Sequence, residues 1–116
     1  MVADIPEDGL GQGFWTDILW SWRFRRLRSR AIAWEKPSYQ EQAAWRADPE
    51  LSRFGDFLVA VASIDGRRAW ILENIWNGWP DPPRFAALVR EPDGAIWLAT
   101  NFHHWPKAWT KPEGLE

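Results

Sequence analysis

The residues best equipped for chemistry in this chain are two adjacent histidines, His103 and His104, together with Asp56 and Asp81, which a suitable fold could bring to them. An Asp–His pair can move protons near neutral pH, because imidazole titrates there and a carboxylate fixes its tautomer. Such a pair still needs a nucleophile. The chain offers no cysteine and no Gly-x-Ser-x-Gly elbow. Neighbouring residues of an extended segment point to opposite sides, so only one imidazole can face a shared pocket. Two histidines with no HExxH pattern also leave a zinc site without partners at any telling spacing. Gly9-Leu10-Gly11-Gln12-Gly13 has the glycines of a dinucleotide loop but neither a preceding strand nor the right spacing. No metal and no cofactor are expected. The balance leans away from an enzyme, with His103, His104 and Asp81 as weak catalytic candidates.

A second concentration of chemistry is Trp20–Arg30, WSWRFRRLRSR, which packs five arginines and three aromatics into eleven residues. Arginine grips carboxylate or phosphate in a bidentate fork and stacks on aromatic rings. The segment carries +5, the remainder −7, and the whole chain a formal −2 with a sequence pI near 5.7. Nucleic-acid domains show a basic excess throughout, so that partner is disfavoured. The arginines either meet the chain's own acids or dock an acidic or mixed protein, with Trp22, Arg23 and Arg26 as contacts, since Trp and Arg dominate interface hot spots. A second copy of the chain is a further candidate partner, and a membrane surface is not expected.

The elements that must position these residues follow from pattern. Residues 1–13 are acidic and glycine-broken, a flexible lead-in with none of the basic-then-apolar character of a secretory signal. No apolar run approaches the roughly 20 residues of a membrane helix, so a cytoplasmic protein is expected. The absence of cysteine leaves packing alone to hold the fold. Eleven tryptophans, each able to bury about 150–250 Å², imply a Trp-rich core, exposed indoles, or both. The excess of arginine over lysine, with abundant Ala, Gly and Pro, suggests a GC-rich bacterial or phage genome.

Apolar spacing favours a helix over 15–30 with two stripes: Phe14, Trp15, Ile18, Leu19 and Trp22 on one side, and Trp20, Phe24, Leu27 and Ala31 nearly opposite. Ser38-x-x-Glu41 is a capping box that starts a helix over 39–47, ending before Pro49. Four strand-length runs follow: 57–64, 68–76, 84–91 and 95–102. Asp65-Gly66 and Asp93-Gly94 fall between the first and last pairs and read as two-residue hairpin turns. The expected fold is α+β: two N-terminal helices packed on a four-stranded antiparallel meander, forming a single domain over 14–111 with a tail over 112–116. Two-residue turns would set Val61 opposite Trp70, Val59 opposite Leu72, Val89 opposite Leu98, and Arg90 opposite Trp97 as a cation–π pair.

In such a meander the second and fourth strands end at one edge, which gathers Trp76, Asn77, Trp79, Asp81, His103, His104 and Trp105 into an aromatic-walled place with convergent polar groups. The plainer alternative is that the Trp-Pro pairs only cap the open end of the sheet. The residues carry no family signature. By type they suit a small protein-binding module of accessory, inhibitor or immunity character that presents Trp and Arg surfaces. The alternative is a small-molecule-binding protein or small enzyme using the Trp-walled edge.

Overall fold

The architecture described here is that of a computed structural model, which describes residues 14–74 and 84–112. The elements are α1 (Phe14–Arg28), α2 (Tyr39–Ala47), α3 (Pro49–Ser52), β1 (Phe57–Ile64), β2 (Arg67–Glu73), β3 (Phe85–Arg90) and β4 (Ile96–Phe102). The strands form one antiparallel sheet in the order β1-β2-β3-β4, the expected α+β meander. The expected second strand reached Trp76. Observed β2 ends at Glu73, where the Asn74 N–H turns to the Arg84 carbonyl at 2.8 Å. Residues 75–83, with Trp76, Asn77, Trp79 and Asp81, lie outside the described residues.

Local chemistry explains the boundaries. Ser38 Oγ accepts from the Glu41 N–H at 3.1 Å while Glu41 Oε1 accepts from the Ser38 N–H at 2.8 Å, the reciprocal capping box that starts α2. Asp48 then turns extended, as a residue before proline prefers, and ends α2. The same Asp48 caps α3, accepting from the Glu50 and Leu51 N–H groups at 3.0 and 3.3 Å, with Pro49 in the first helical turn. This short third helix was not expected from the sequence.

The two hairpins differ. Asp65 and Gly66 have φ of 53° and 81° between the Ile64–Arg67 pair, the all-positive backbone of a two-residue type I′ turn. The second turn holds three residues rather than two. The Gly94 N–H donates to the Glu91 carbonyl and the Glu91 N–H to the Ala95 carbonyl, each at 2.8 Å, with Pro92 preset for the first turn position and Gly94 at φ 96°. The extra residue shifts the register, and a bulge at Trp97 restores it, so Arg90 pairs with Ile96 while Val89 still pairs with Leu98. The expected Arg90–Trp97 pair therefore does not form. In the first hairpin Val61 faces Trp70 as expected, but a bulge at Val59 sets Leu58, not Val59, against Leu72. Val61 also exchanges two 2.9 Å backbone bonds with Glu35 across the outer edge of β1, which shields that edge.

Both faces of the sheet are covered, and β3 is buried at every residue from Phe85 to Val89. The face carrying Arg68, Trp70 and Arg90 meets α2 and α3 through Trp45 and Leu51. The face carrying Phe85, Ile71, Leu98 and Phe102 meets α1 and the two segments 31–36 and 105–110. There Phe24, Phe85, Phe102, Trp34, Trp105 and Trp109 form one aromatic cluster with centroids 5.1 to 6.4 Å apart, mostly tilted or edge-to-face. Trp109 ties it to the helix, donating from Nε1 to the Leu27 carbonyl at 2.9 Å. Thr110 fixes the connecting segment, with Oγ1 accepting from the Trp34 N–H at 3.0 Å and its N–H donating to the Ile32 carbonyl at 3.0 Å.

Replacing Trp109 by Phe should cost about 2–4 kcal/mol in urea unfolding, because a gap opens in the core and the Leu27 carbonyl keeps only the Arg30 N–H, at 3.0 Å, of its two donors. Trp105→Phe should cost clearly less, since that indole is half-buried and its N–H goes to the exposed Thr110 carbonyl. Equal losses would show that the Leu27 bond contributes nothing.

Candidate functional site

Burial divides α1 into two stripes. Trp20 and Leu27 are buried and Phe24 packs against the core, so the inner stripe is the one expected to meet the sheet. Arg23 reinforces this docking: its Nη1 donates to the Trp97 carbonyl at 2.5 Å, and its guanidinium lies 4.6 Å from the Trp97 ring centroid. Arg67 approaches the same ring at 4.4 Å. Burial first, and then the neighbouring Arg67 charge, hold the Arg23 guanidinium below the ordinary arginine range. Arg23, expected as a contact for a partner, thus acts as an internal fastener of α1 to β4.

The outer stripe is in solvent. Trp15, Ile18, Leu19 and Trp22 are 57%, 46%, 41% and 53% exposed, and they supply four of the six large exposed apolar side chains among the described residues. The other two, Tyr39 and Phe57, stand on different elements. At i, i+3, i+4 and i+7 the four form a continuous helical face. Arg26 lies 4.8 Å from the Trp22 ring, so these two residues of the expected contact set stack on one another. Beside the stripe a hollow of about 390 Å³ is lined by Asp17, Ile18, Ser21, Trp22 and Arg25, with the small Ser21 leaving the space between its larger neighbours. The next turns, Arg25, Arg26 and Arg28, are exposed, and among the described residues none of the three holds a carboxylate.

The edge gathered by the meander looks different. His103 and His104 are both exposed on a bend after β4, their ring centroids 6.2 Å apart. Trp105 is committed to the aromatic cluster. The Asp56 N–H donates to the Glu73 carbonyl at 2.9 Å, so the start of β1 and the end of β2 do share this edge. Trp76, Asn77, Trp79 and Asp81, the remaining residues expected there, fall outside the described residues. Among the described residues no three His, Cys, Asp or Glu side chains are grouped to hold a metal, and no helix is long and apolar enough to cross a membrane.

The chain matches no family model, no curated protein and no solved structure. Its own geometry therefore carries the functional argument.

A cleft that sequence reasoning missed opens at the opposite end of the sheet, between the hairpin turns and α2–α3. It measures about 440 Å³, with Trp45 and Trp70 in its walls. Its charged groups are already matched. Arg68 bonds Glu41, and Arg90 bonds Asp48 at 3.2 Å, Glu50 at 3.6 Å and the Gly94 carbonyl at 3.3 Å. Arg90 also lies 5.6 Å from the Trp70 ring, which replaces the expected stack on Trp97. These pairs clasp the helices to the sheet, and the only hint of them in the sequence was the arginine–carboxylate balance.

The clasp makes an acid-labile contribution. The Ser38 N–H, and then Arg68, hold the Glu41 carboxyl below its ordinary range. Burial pushes Asp48 up, but Arg90 and the Leu51 and Glu50 N–H groups together outweigh it and leave the carboxyl lowered. A carboxyl whose folded value lies below its unfolded one stabilises the fold above the unfolded value, near pH 4, and that stability drains away as pH falls through the folded value. Asp48→Asn should therefore lower stability at pH 7 and flatten the acid limb of the stability–pH curve, converging with the parent at the lowest pH. Curves that stay parallel down to pH 2 would show that the Asp48 charge plays no part.

Proposed function

We propose that the protein is a protein-binding module whose contact surface is the outer stripe of α1. The observation that carries this reading is the coincidence, on one helix docked by its inner stripe, of Ile18, Leu19 and an Arg26-stacked Trp22 exposed beside Arg25, Arg26 and Arg28, none of which holds a carboxylate among the described residues. Taking such side chains at about 150–250 Å² each, the four exposed residues present on the order of 400 Å² of apolar surface, the size at which patches on monomers are often functional. Trp and Arg are also the types that dominate binding energy at interfaces. The arginines favour an acidic or mixed partner. A nucleic acid is disfavoured by the net charge of −2 and by the commitment of Arg23, Arg30, Arg67, Arg68, Arg84 and Arg90 to internal contacts.

Accessory, inhibitor and immunity roles all fit a module of this kind, as does a second copy as partner. The small-molecule alternative keeps the exposed His103 and His104 as polar groups but loses Trp105 as a free wall. A photo-crosslinking side chain placed at position 18 or 22, with Tyr39 as an 87% exposed position away from the stripe, tests the reading in native lysate. One discrete adduct formed from 18 and 22 but not from 39 is the expected result. The same adducts from all three positions would remove α1 as the binding surface.

A further inference from the structure

We infer that the occupant of the α1 surface is an acidic amphipathic helix that seats a large apolar side chain in the hollow over Ser21 and sets carboxylates against Arg25 and Arg26. The inference rests on the reading of α1 as a protein-docking face and adds what docks there. The hollow is lined by Asp17, Ile18, Ser21, Trp22 and Arg25, of which Ser21 is the smallest and lies one helical turn from both Asp17 and Arg25. A small residue between large ones on a helix is what receives a side chain from a crossing helix, as ridges enter grooves.

Charge selects among occupants. Arg30, Arg67, Arg68, Arg84 and Arg90 each hold a carboxylate, whereas among the described residues Arg25, Arg26 and Arg28, like the separate Arg46 and Arg53, hold none; only on α1 do three such arginines follow an exposed apolar stripe, and Asp17 is the one acid in the hollow. A second copy packed in parallel would bring two such cationic turns together, and one packed antiparallel would offer Arg25, Arg26 and Arg28 only Asp17. It would also find only on the order of 400 Å² of apolar patch, where obligate homodimer interfaces bury roughly 1,000 Å² or more per partner at about 65% apolar. An in-plane membrane helix lays one apolar face into the lipid and keeps its charges on the opposite face. Here the apolar face stops at Trp22 and arginines continue it. An acidic amphipathic helix meets both halves, apolar residues on the first two turns and carboxylates on the last two.

The test uses the full chain, isotope-labelled for NMR, and a synthetic helical peptide with Leu at i, i+3, i+4 and i+7 and Glu on its flanks. Amide shifts confined to residues 17–26, weakening as salt rises, are expected. Ser21→Gln fills the hollow with a helix-compatible polar chain, and Arg25→Glu with Arg26→Glu reverses the charge. Each variant should weaken binding by about tenfold or more, the usual size of a hot-spot loss. All three positions are exposed, so an unchanged dispersed spectrum shows the fold intact. The inference is overturned if a peptide with Gln in place of Glu binds as tightly, if shifts fall outside α1, or if no shift appears at millimolar peptide. It is equally overturned if anionic vesicles or concentration-dependent self-association, and not the peptide, perturb residues 17–26. A discrete crosslink from positions 18 and 22 together with silence toward the acidic peptide would leave the docking face standing and reject this occupant.

Discussion

Everything in this fold leans on the aromatic cluster that joins Trp109 to α1. A chain without cysteine has no covalent staple, and a domain of this size buries only about two-thirds of its unfolded surface. Indoles answer the shortage by covering much area with few rotatable bonds. Trp109 is 5% exposed and contacts Phe24 of α1, Trp34 of the connecting segment and Phe102 of β4, while its N–H closes on the Leu27 carbonyl at 2.9 Å near the end of the helix. One side chain thus fixes helix, linker and sheet together. The cluster is not free of cost: among the described residues the Trp34 Nε1 is buried without an acceptor, a penalty of about 1–3 kcal/mol that the surrounding packing must offset.

That attachment constrains what α1 can do with its second stripe. On a helix of about 100° per residue, Trp20, Phe24 and Leu27 lie almost opposite Trp15, Ile18 and Trp22, so burying the first set exposes the second. No rotation of the helix satisfies both. Among the described residues, the neighbours α1 packs against are β4 and the 105–110 segment, and both are on the inner side. The exposed apolar face is therefore a consequence of the sequence pattern itself and not of a loosely packed end.

The sequence made this pattern visible, and it made the sheet visible too, because Asp65-Gly66, the capping box at Ser38 and the alternating runs are local signals of turn, cap and strand. What it hid were the events that depend on residues far apart. The bulge at Trp97 goes with a three-residue turn in place of the two-residue one that Asp93-Gly94 suggests, and the bulge at Val59 lies two residues from Val61, which pairs across the edge with the distant Glu35. The pairing of Arg68 with Glu41 and of Arg90 with Asp48 depends on α2–α3 lying over one face of the sheet, which no spacing along the chain encodes. For α1, the exposure of Trp22 was legible because an arginine-flanked indole has no place on the buried stripe. The stacking of Arg23 on Trp97 was not, because only the fold sets Trp97 beneath it.

The position of Arg23 next to Trp22 gives the outer stripe its rigidity. Guanidinium stacking on Trp97 and donation to the Trp97 carbonyl anchor the backbone of α1 at residue 23, and Arg26 braces the Trp22 ring one turn later. On the proposed reading, a partner would meet an indole stacked by Arg26 on a helix anchored to the sheet at Arg23. Association then loses less side-chain and backbone freedom than it would at a mobile loop, where roughly 0.5–1.5 kcal/mol is spent for each side chain immobilised. A patch of modest area can support useful affinity on those terms, whereas the same residues on a flexible segment would spend much of their contact energy on ordering. Arginines that look redundant in composition so divide into two groups: those paired with the sheet and its carboxylates fasten the platform, and those left in solvent beside it would, on the proposed reading, favour an acidic partner.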